Sequence, residues 1–161
     1  MVLKKFTIPL IILFTLLSGT FIVNSAKAAP AGTVGLYKYF NGIDHFYITS
    51  FEPLGNGKYG YTYQGIQGYV FREQQPGTTP FYRYYNGTDH FYTVSYLGSR
   101  YSDYSLEGTE GYIFAQPHNG TTPLFRYYNG TDHYYTTDFN ELRSGSNGYT
   151  LEGIEGYIFP N

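Results

Sequence analysis

The chain lacks cysteine and tryptophan, and only 14% of its 161 residues are charged. Without cysteine there is no disulfide framework, no thiolate metal site and no nucleophilic thiol. The charged share is well below the roughly 25% of an average globular protein, yet 21% of the residues are aromatic. This aromatic share excludes an intrinsically disordered chain, so we expect one folded domain whose core is filled mainly by rings.

Charge of either sign is also scarce. Ten Lys and Arg face twelve Asp and Glu, for a formal net charge of -2. Because nucleic-acid binding depends on several cationic contacts to phosphates, this balance argues against a nucleic-acid partner.

The one long apolar run lies at the N-terminus. It follows Lys4 and Lys5, extends from Ile8 to Val23, and precedes the small residues of Ala26-Lys27-Ala28. This pattern predicts a secretory signal peptide over residues 1–28 and a secreted, extracellular mature chain over residues 29–161. A membrane anchor is the alternative, but polar residues interrupt the run before it reaches the ~20 residues of a span, and we expect no membrane span after cleavage.

The mature chain consists of three copies of one unit. The histidines of its Asp-His pairs, His45, His90 and His133, are separated by 45 and 43 residues. Each copy has an aromatic segment with Asn-Gly, a variable segment and a closing Gly-Tyr-(Ile/Val)-Phe segment, and Gly-Thr-Thr-Pro joins the copies. The predicted repeats cover about residues 34–80, 81–123 and 124–161.

Alternating aromatic residues around Asn-Gly predict hairpins, and no segment has the apolar period of a helix. About four short strands per repeat give about twelve in an all-β domain. A three-fold β-trefoil fits this arithmetic best, and a three-sheet β-prism is the alternative. A propeller is disfavoured because three blades are fewer than the usual four to eight.

The repeated Asp-His pair and the tyrosine that follows are the candidate ligand-binding residues. Carboxylate and imidazole groups can bind sugar hydroxyls, and a tyrosine ring can stack on a sugar. Two alternatives stay open: the pairs organise turns, or the three histidines share a zinc ion, which nothing in their spacing requires. The set comprises Asp44, His45, Tyr47, Asp89, His90, Tyr92, Asp132, His133 and Tyr135.

Two carboxylate pairs, Glu107 with Glu110 and Glu152 with Glu155, are the other candidates for chemistry. Such pairs can act as acid and base on a glycosidic bond. The first repeat has Gln64 and Gln67 at these positions, and glutamine cannot transfer protons. We therefore predict a backbone clamp, no catalytic residue, and neither a cofactor nor a bound metal.

The strings LFRYYNGTDHYYTT, LEGIEGYIF and NGTTPLFRYYN resemble the repeat of a secreted bacterial and fungal family of unknown function. Members of that family occur alone or appended to cell-wall and polysaccharide hydrolases. The resemblance covers Leu36 to Phe159 and implies a β-rich, trefoil-like module with an adhesive or carbohydrate-binding role. The first copy departs from the pattern at Phe40, Ile43, Gln64 and Gln67, which implies a weaker site there.

Together these features predict a secreted, monomeric, non-catalytic, lectin-like module. Its expected partners are glycans or cell-wall polysaccharide, bound weakly at up to three related sites and strengthened by multivalency. A structural or protein-interaction module, such as an adhesin or inhibitor, is the alternative.

Overall fold

The computed structural model describes residues 29–161, so the predicted signal peptide lies outside the described residues. The described chain has eleven strands and one four-residue helix, and the predicted all-β class is confirmed. The elements are β1 (Thr33–Phe40), β2 (His45–Ile48), β3 (Thr62–Phe71), β4 (Thr78–Tyr85), β5 (His90–Thr93), β6 (Arg100–Tyr101), β7 (Tyr104–Phe114), β8 (Thr122–Tyr128), β9 (His133–Thr136), α1 (Phe139–Leu142), β10 (Gly145–Ser146) and β11 (Tyr149–Ile158).

Each repeat forms an antiparallel arrangement of the same design. A short strand pairs with the first strand of the repeat, which pairs in turn with one long strand. The orders are β2-β1-β3, β5-β4-β7 and β9-β8-β11. The two-residue strands β6 and β10 extend the long strands of the second and third repeats.

Every repeat contains the predicted hairpin, and its four-residue loop begins with Asn-Gly. In the first repeat Phe40 pairs with His45, and the Oδ1 atom of Asn41 accepts hydrogen bonds from the amides of Ile43 and Asp44. Gly42 has φ 98°, a conformation that glycine adopts without strain. The loop therefore depends on the Asn side chain as well as on glycine.

The third and fourth strands predicted for each repeat are one continuous strand. Two bulges bend it where register shifts leave one residue of the long strand unpaired. These bulge residues are Gln64 and Gln67 in β3, Glu107 and Glu110 in β7, and Glu152 and Glu155 in β11. The predicted boundaries at residues 81 and 124 also fall inside β4 and β8, because the Thr-Pro ends of the linkers pair as strand residues.

The core lies where the three repeats meet. Leu36, Phe81 and Leu124 are buried there, with Val70, Ile113 and Ile158 as the corresponding set from the long strands. The long strands also meet at their ends, through Phe71 with Tyr112, Phe114 with Tyr157 and Tyr69 with Phe159. Every repeat thus contacts the other two in a three-fold arrangement, although these pairings do not confirm the trefoil.

Gly68, Gly111 and Gly156 permit this close approach. A Cβ atom at Gly68 would lie 2.6 Å from the carbonyl oxygen of Phe159 and 2.6 Å from the Cδ1 atom of Ile158. We expect Gly68→Ala to lower the free energy of unfolding by about 1–3 kcal/mol, because the repeats would have to move apart. Urea unfolding measures the loss.

Gly35→Ala is the matched control. A Cβ atom at Gly35 would have the Tyr37 ring as its nearest neighbour, at 3.3 Å, and not a backbone atom. An equal loss in both variants would contradict the assignment of Gly68 to the contact between repeats.

Candidate functional site

The short strands turn their open edges toward the centre of the molecule, where side chains of other repeats bind them. On β2, the His45 amide donates to Asp132 Oδ1 at 2.7 Å. The Tyr47 amide donates to the Tyr92 hydroxyl at 2.8 Å, and that hydroxyl donates to the Tyr47 carbonyl at 2.7 Å. Strands β5 and β9 are bound in the same way. The edges that could pair with another chain are therefore already satisfied.

Each aspartate of the Asp-His pairs binds a histidine of a different repeat, not its sequence neighbour. Asp44 Oδ2 lies 2.6 Å from His90 Nδ1, and Asp44 Oδ1 accepts from the His90 amide at 2.8 Å. The same contacts join Asp89 to His133 and Asp132 to His45, which closes the circle. Because a carboxylate only accepts, Nδ1 carries the proton and Nε2 is left to face outward.

A tyrosine hydroxyl donates a further hydrogen bond to each of these aspartates. Tyr61, Tyr104 and Tyr149 donate to Asp44, Asp89 and Asp132 respectively. Burial acts to raise the pKa of Asp44, but the hydrogen bonds and charge of His90 and the bond from Tyr61 together outweigh burial and hold that pKa below its ordinary value. Burial, together with the bond to Asp44, raises the pKa of Tyr61 well above its ordinary value. Asp44 is thus an ionised acceptor at neutral pH.

The three aspartates also converge, with carboxylate oxygens within 4.8 Å of one another. Their side chains are 1% exposed, and the Oδ1 and Oδ2 atoms of each accept hydrogen bonds from an amide, an imidazole and a phenol. The three histidines each bind a different aspartate. The carboxylates are therefore engaged in holding the hairpins together, and this arrangement differs from the shared three-histidine zinc site considered above.

The tyrosines of the predicted set form a second closed ring beneath the aspartates. Tyr47, Tyr92 and Tyr135 meet edge to face with ring centroids 5.4–5.6 Å apart. Each hydroxyl accepts from the amide, and donates to the carbonyl, of the next tyrosine at 2.6–2.8 Å. Burial raises the pKa of all three phenols well above the ordinary value.

The nine predicted ligand-binding residues therefore come together, but inside the protein. The aspartates and tyrosines are buried, and no sugar ring could stack on Tyr47, Tyr92 or Tyr135 in this packing. The turn-organising alternative fits their placement. Of this set, only the outward Nε2 edges of the histidines, whose side chains are about 10% exposed, remain close to the surface.

One glutamate of each predicted pair, Glu110 or Glu155, clamps the backbone, whereas Glu107 and Glu152 contact arginine and histidine side chains. Glu110 Oε1 accepts from the Thr49 amide of the first repeat at 2.5 Å, and Glu155 Oε1 accepts from the Val94 amide of the second at 2.6 Å. With its amide oriented to suit its neighbours, Gln67 accepts from the Thr137 amide at 2.9 Å. Glutamine preserves this role because it requires only an accepting oxygen.

Arginines bind the outer ends of the same glutamates. Arg83 Nε donates to Glu107 Oε2 at 2.7 Å and Arg83 Nη1 donates to Glu110. Burial raises the pKa of Glu110, and the positive charge of Arg83 opposes that effect. Arg126 contacts Glu152 and Glu155 in the third repeat in the same way.

Surface-accessible groups gather where neighbouring repeats meet, at three related junctions. Junction B, between the second and third repeats, holds a cavity of about 170 Å³. Junction C, between the third and first, holds one of about 230 Å³. The cavity at B is lined by Phe91, Tyr101, Tyr104, Arg126, His133 and Glu152, and that at C by His45, Tyr134, Glu141, Leu142, Asn147 and Tyr149.

Junction A, between the first and second repeats, has the same phenylalanine, tyrosine, arginine, histidine and glutamate as junction B, but Lys58 takes the place of Tyr101. The Phe46 ring lies 4.5 Å from the His90 ring and 5.1 Å from the Arg83 guanidinium carbon, and it contacts Tyr61. At B, Phe91 contacts His133 at 4.8 Å and Arg126 at 5.0 Å. In both, histidine Nε2 lies 3.6 Å from a glutamate oxygen, of Glu107 at A and of Glu152 at B.

Junction C differs in the residues that the first repeat supplies. Lys38 takes the place of arginine, and its Nζ atom donates to the Tyr134 hydroxyl at 3.1 Å. That hydroxyl donates to Glu141 Oε1 at 2.8 Å. Burial lowers the pKa of Lys38, although Glu141 opposes the effect. Of the departures noted in the sequence, Phe40 also lies at this junction, where its ring stacks on the His45 ring with centroids 4.2 Å apart.

A family model described as "Domain of unknown function (DUF5648)" matches residues 20–101 and 95–159. The chain belongs to this family. The two matches agree with a repeat family of unknown function, as the repeated strings indicated. No curated protein and no solved structure matches the chain. The DUF5648 chain described here has, within residues 29–161, no helix long and apolar enough to cross a membrane.

Sequence reasoning did not identify the junctions as candidate sites. Each junction combines residues of two repeats, such as Phe91 and Tyr104 with Arg126 and His133. The available signal was the recurrence of Lys38, Arg83 and Arg126, and of Tyr61, Tyr104 and Tyr149, at matching repeat positions. Recurrence alone does not reveal which repeat each residue faces.

Proposed function

We propose that this protein is a secreted, non-catalytic, lectin-like module that binds glycans or cell-wall polysaccharide at the junctions between its repeats. The observation that carries the proposal is the cavity of junction B, where two tyrosines and a phenylalanine stand beside Arg126, His133 and Glu152. Aromatic faces with a few fixed polar groups are the usual composition of a small-ligand site. The cavity is small, which suits a single ring at the end or side of a polymer.

The polar groups of the junction are held in place before any ligand arrives. Arg126 is fixed by two carboxylates and packs against Phe91, while His133 is fixed through Nδ1 by Asp89. Preorganised groups lose little conformational entropy on binding, which favours affinity for a ligand of modest size. The buried Asp-His network therefore supports binding indirectly, because it orients the histidine edges.

The engagement of the carboxylates supports a non-catalytic role. Glu152 binds Arg126, and Glu155 binds both Arg126 and the Val94 amide. General acid catalysis requires a carboxyl group whose proton is available to the leaving group. Here the same groups serve as anchors, in the second repeat as in the third.

We infer a three-fold, prism-like arrangement of three sheets as the framework of these sites. Each repeat supplies one group of antiparallel strands to the eleven-stranded sheet, and the three groups are joined through single bridging pairs at the ends of β3, β7 and β11, which supports this inference. Similar junctions related by three-fold repetition would allow one monomer to bind several points of a polymer, which increases avidity without new contacts. Secretion, for which the pattern of residues 1–28 argues, would place the module among extracellular glycans.

A protein-interaction module is the second candidate. The exposed side chains of Ile43, at the tip of the first hairpin, and Ile154, on β11, favour it because isolated surface isoleucines provide apolar contacts. Single exposed apolar residues are common, so this observation is the weaker of the two.

The mature chain from Ala29 should be applied to a glycan array and mixed with purified peptidoglycan in a pull-down. We expect binding to at least one class, and Arg126→Ala should weaken it because the variant removes a positioned polar group from junction B. Circular dichroism confirms that the variants fold. Absence of binding to every glycan and to peptidoglycan by the folded chain would refute the proposal and favour the protein-interaction module.

A further inference from the structure

Tyr59 has an unusual combination of backbone strain and exposure. Its φ is 55°, and 86% of its surface is exposed. A bulky residue in the left-handed region is an outlier, and residues in strained conformations cluster at functional sites. The matching positions carry Ser102, φ 54°, and Asn147, φ 53°, which are small polar residues. Packing does not account for a tyrosine at this position, because most of its ring faces solvent.

The repeat equivalence places Tyr59 at the rim of junction A. Asn147, its counterpart in the third repeat, lines the cavity of junction C beside Tyr149. Tyr61, the counterpart of Tyr149, contacts Phe46 at junction A. The variable loop of the first repeat therefore presents Tyr59 where the third repeat presents an asparagine.

In the second repeat the exposed tyrosine of the junction is Tyr101, one residue before Ser102, the counterpart of Tyr59. Tyr101 lines the cavity of junction B and is 51% exposed. Its counterpart in the third repeat is Ser146. Junctions A and B thus have exposed tyrosine rims, whereas the corresponding turn at junction C is Ser146-Asn147.

The charges at junctions A and B favour an uncharged ligand. Arg83 is bound by Glu107 and Glu110, and Arg126 by Glu152 and Glu155, so each cation faces two carboxylates. The arginines inside these junctions therefore offer an acidic sugar no unpaired cation, and the charges of Lys58 and Arg100, which are exposed beside Tyr59 and Tyr101, are screened by solvent. A pyranose ring whose substituents are all equatorial exposes C–H groups on both faces, and these are the groups that a tyrosine face contacts.

We propose that Tyr59 and Tyr101 are the stacking platforms for neutral, β-1,4-linked gluco-configured sugars at junctions A and B. This inference rests on the proposed function and makes it more specific: the monomer has two stacking sites, and junction C is not a third. The turn of the third repeat lacks the aromatic rim, so two moles of sugar bind per mole of protein.

The test measures binding of cellotetraose and chitotetraose by isothermal titration calorimetry, with tetragalacturonate as the acidic comparison. We expect a stoichiometry of two and no binding of the acidic sugar. Tyr59→Asn and Tyr101→Ser introduce the third-repeat residues and should each remove one site. The double variant should bind at least tenfold more weakly. Tyr59→Asn should also keep or raise Tm, because asparagine tolerates positive φ.

Tyr96→Ala is the matched control. Tyr96 is 62% exposed on the same variable loop as Tyr101, but it packs against Tyr82 and is not part of the junction B cavity. Unchanged affinity in the double variant, a loss equal to that of Tyr96→Ala, or no binding of either neutral tetrasaccharide would overturn the inference. If the chain then binds another glycan of the array, the proposed function still holds and only the inference on Tyr59 and Tyr101 is wrong. If the folded chain binds no glycan and no peptidoglycan, the proposed function itself is refuted.

Discussion

Tyr92→Phe is expected to lower the free energy of unfolding by about 2–6 kcal/mol, although it removes a single oxygen atom. The Tyr92 hydroxyl accepts from the Tyr47 amide at 2.8 Å and donates to the Tyr47 carbonyl at 2.7 Å. Both peptide groups lie on the buried edge of β2, where no backbone partner replaces the hydroxyl. An unsatisfied buried polar group costs about 1–3 kcal/mol, and this substitution leaves two.

Equilibrium urea unfolding, followed by circular dichroism, measures this loss. Tyr47→Phe and Tyr135→Phe should show similar losses, because the three hydroxyls make equivalent contacts. Tyr96→Phe is the control, since its ring is largely exposed and the substitution should change stability by less than about 0.5 kcal/mol. Losses as small as that in all three core variants would mean that the tyrosine ring does not hold the hairpins together.

The repeated sequence was enough to predict the all-β class and the hairpins, because these depend on local patterns. Asn41-Gly42 and its counterparts do form the hairpin loops, and the aromatic segments on either side do pair. Four short strands per repeat is the natural prediction because Gly65, Gly108 and Gly153 have the sequence signature of turns, but the structure has one long strand in place of the last two. In the structure their positive φ values belong to bulges inside one strand. A glycine with positive φ has the same sequence signature in both settings.

The closed rings could not be predicted from local pattern. Asp44 binds His90 rather than its neighbour His45, and Tyr47 binds Tyr92 and Tyr135, all at separations above 40 residues. In a three-fold repeat, one known contact between two repeats predicts the other two equivalent contacts. The sequence alone does not show what that first contact is. The junctions also depend on contacts between repeats. The residues predicted from the sequence are therefore the buried ones that hold the junctions in place, and not the surface groups that could contact a ligand.

Asp44→Asn is the second substitution expected to have a large effect. It removes the charge that accepts from the His90 amide, from His90 Nδ1 and from the Tyr61 hydroxyl. An asparagine amide has one accepting oxygen, so its NH₂ group would face a donor. Hydrogen bonds to a charged group contribute about 1.5–3 kcal/mol each, and the substitution disturbs at least two of them, so we expect a loss of about 3–5 kcal/mol at pH 7. Urea unfolding measures it.

The difference between wild type and Asp44→Asn should depend on pH with a definite sign. The pKa of Asp44 is lower in the folded state than its ordinary value, which is about 3.9 in an unfolded chain. Its contribution to stability is therefore complete above the unfolded value and is lost as pH falls through the folded pKa. Unfolding at pH 7 and at pH 3 should show a smaller difference at pH 3. Asp103→Asn is the control, because Asp103 is exposed and accepts a hydrogen bond from Asn86. This substitution should lower the free energy of unfolding little at either pH. A difference that stays constant, or grows as pH falls, would show that the ionised carboxylate is not what holds His90 and the second hairpin in place.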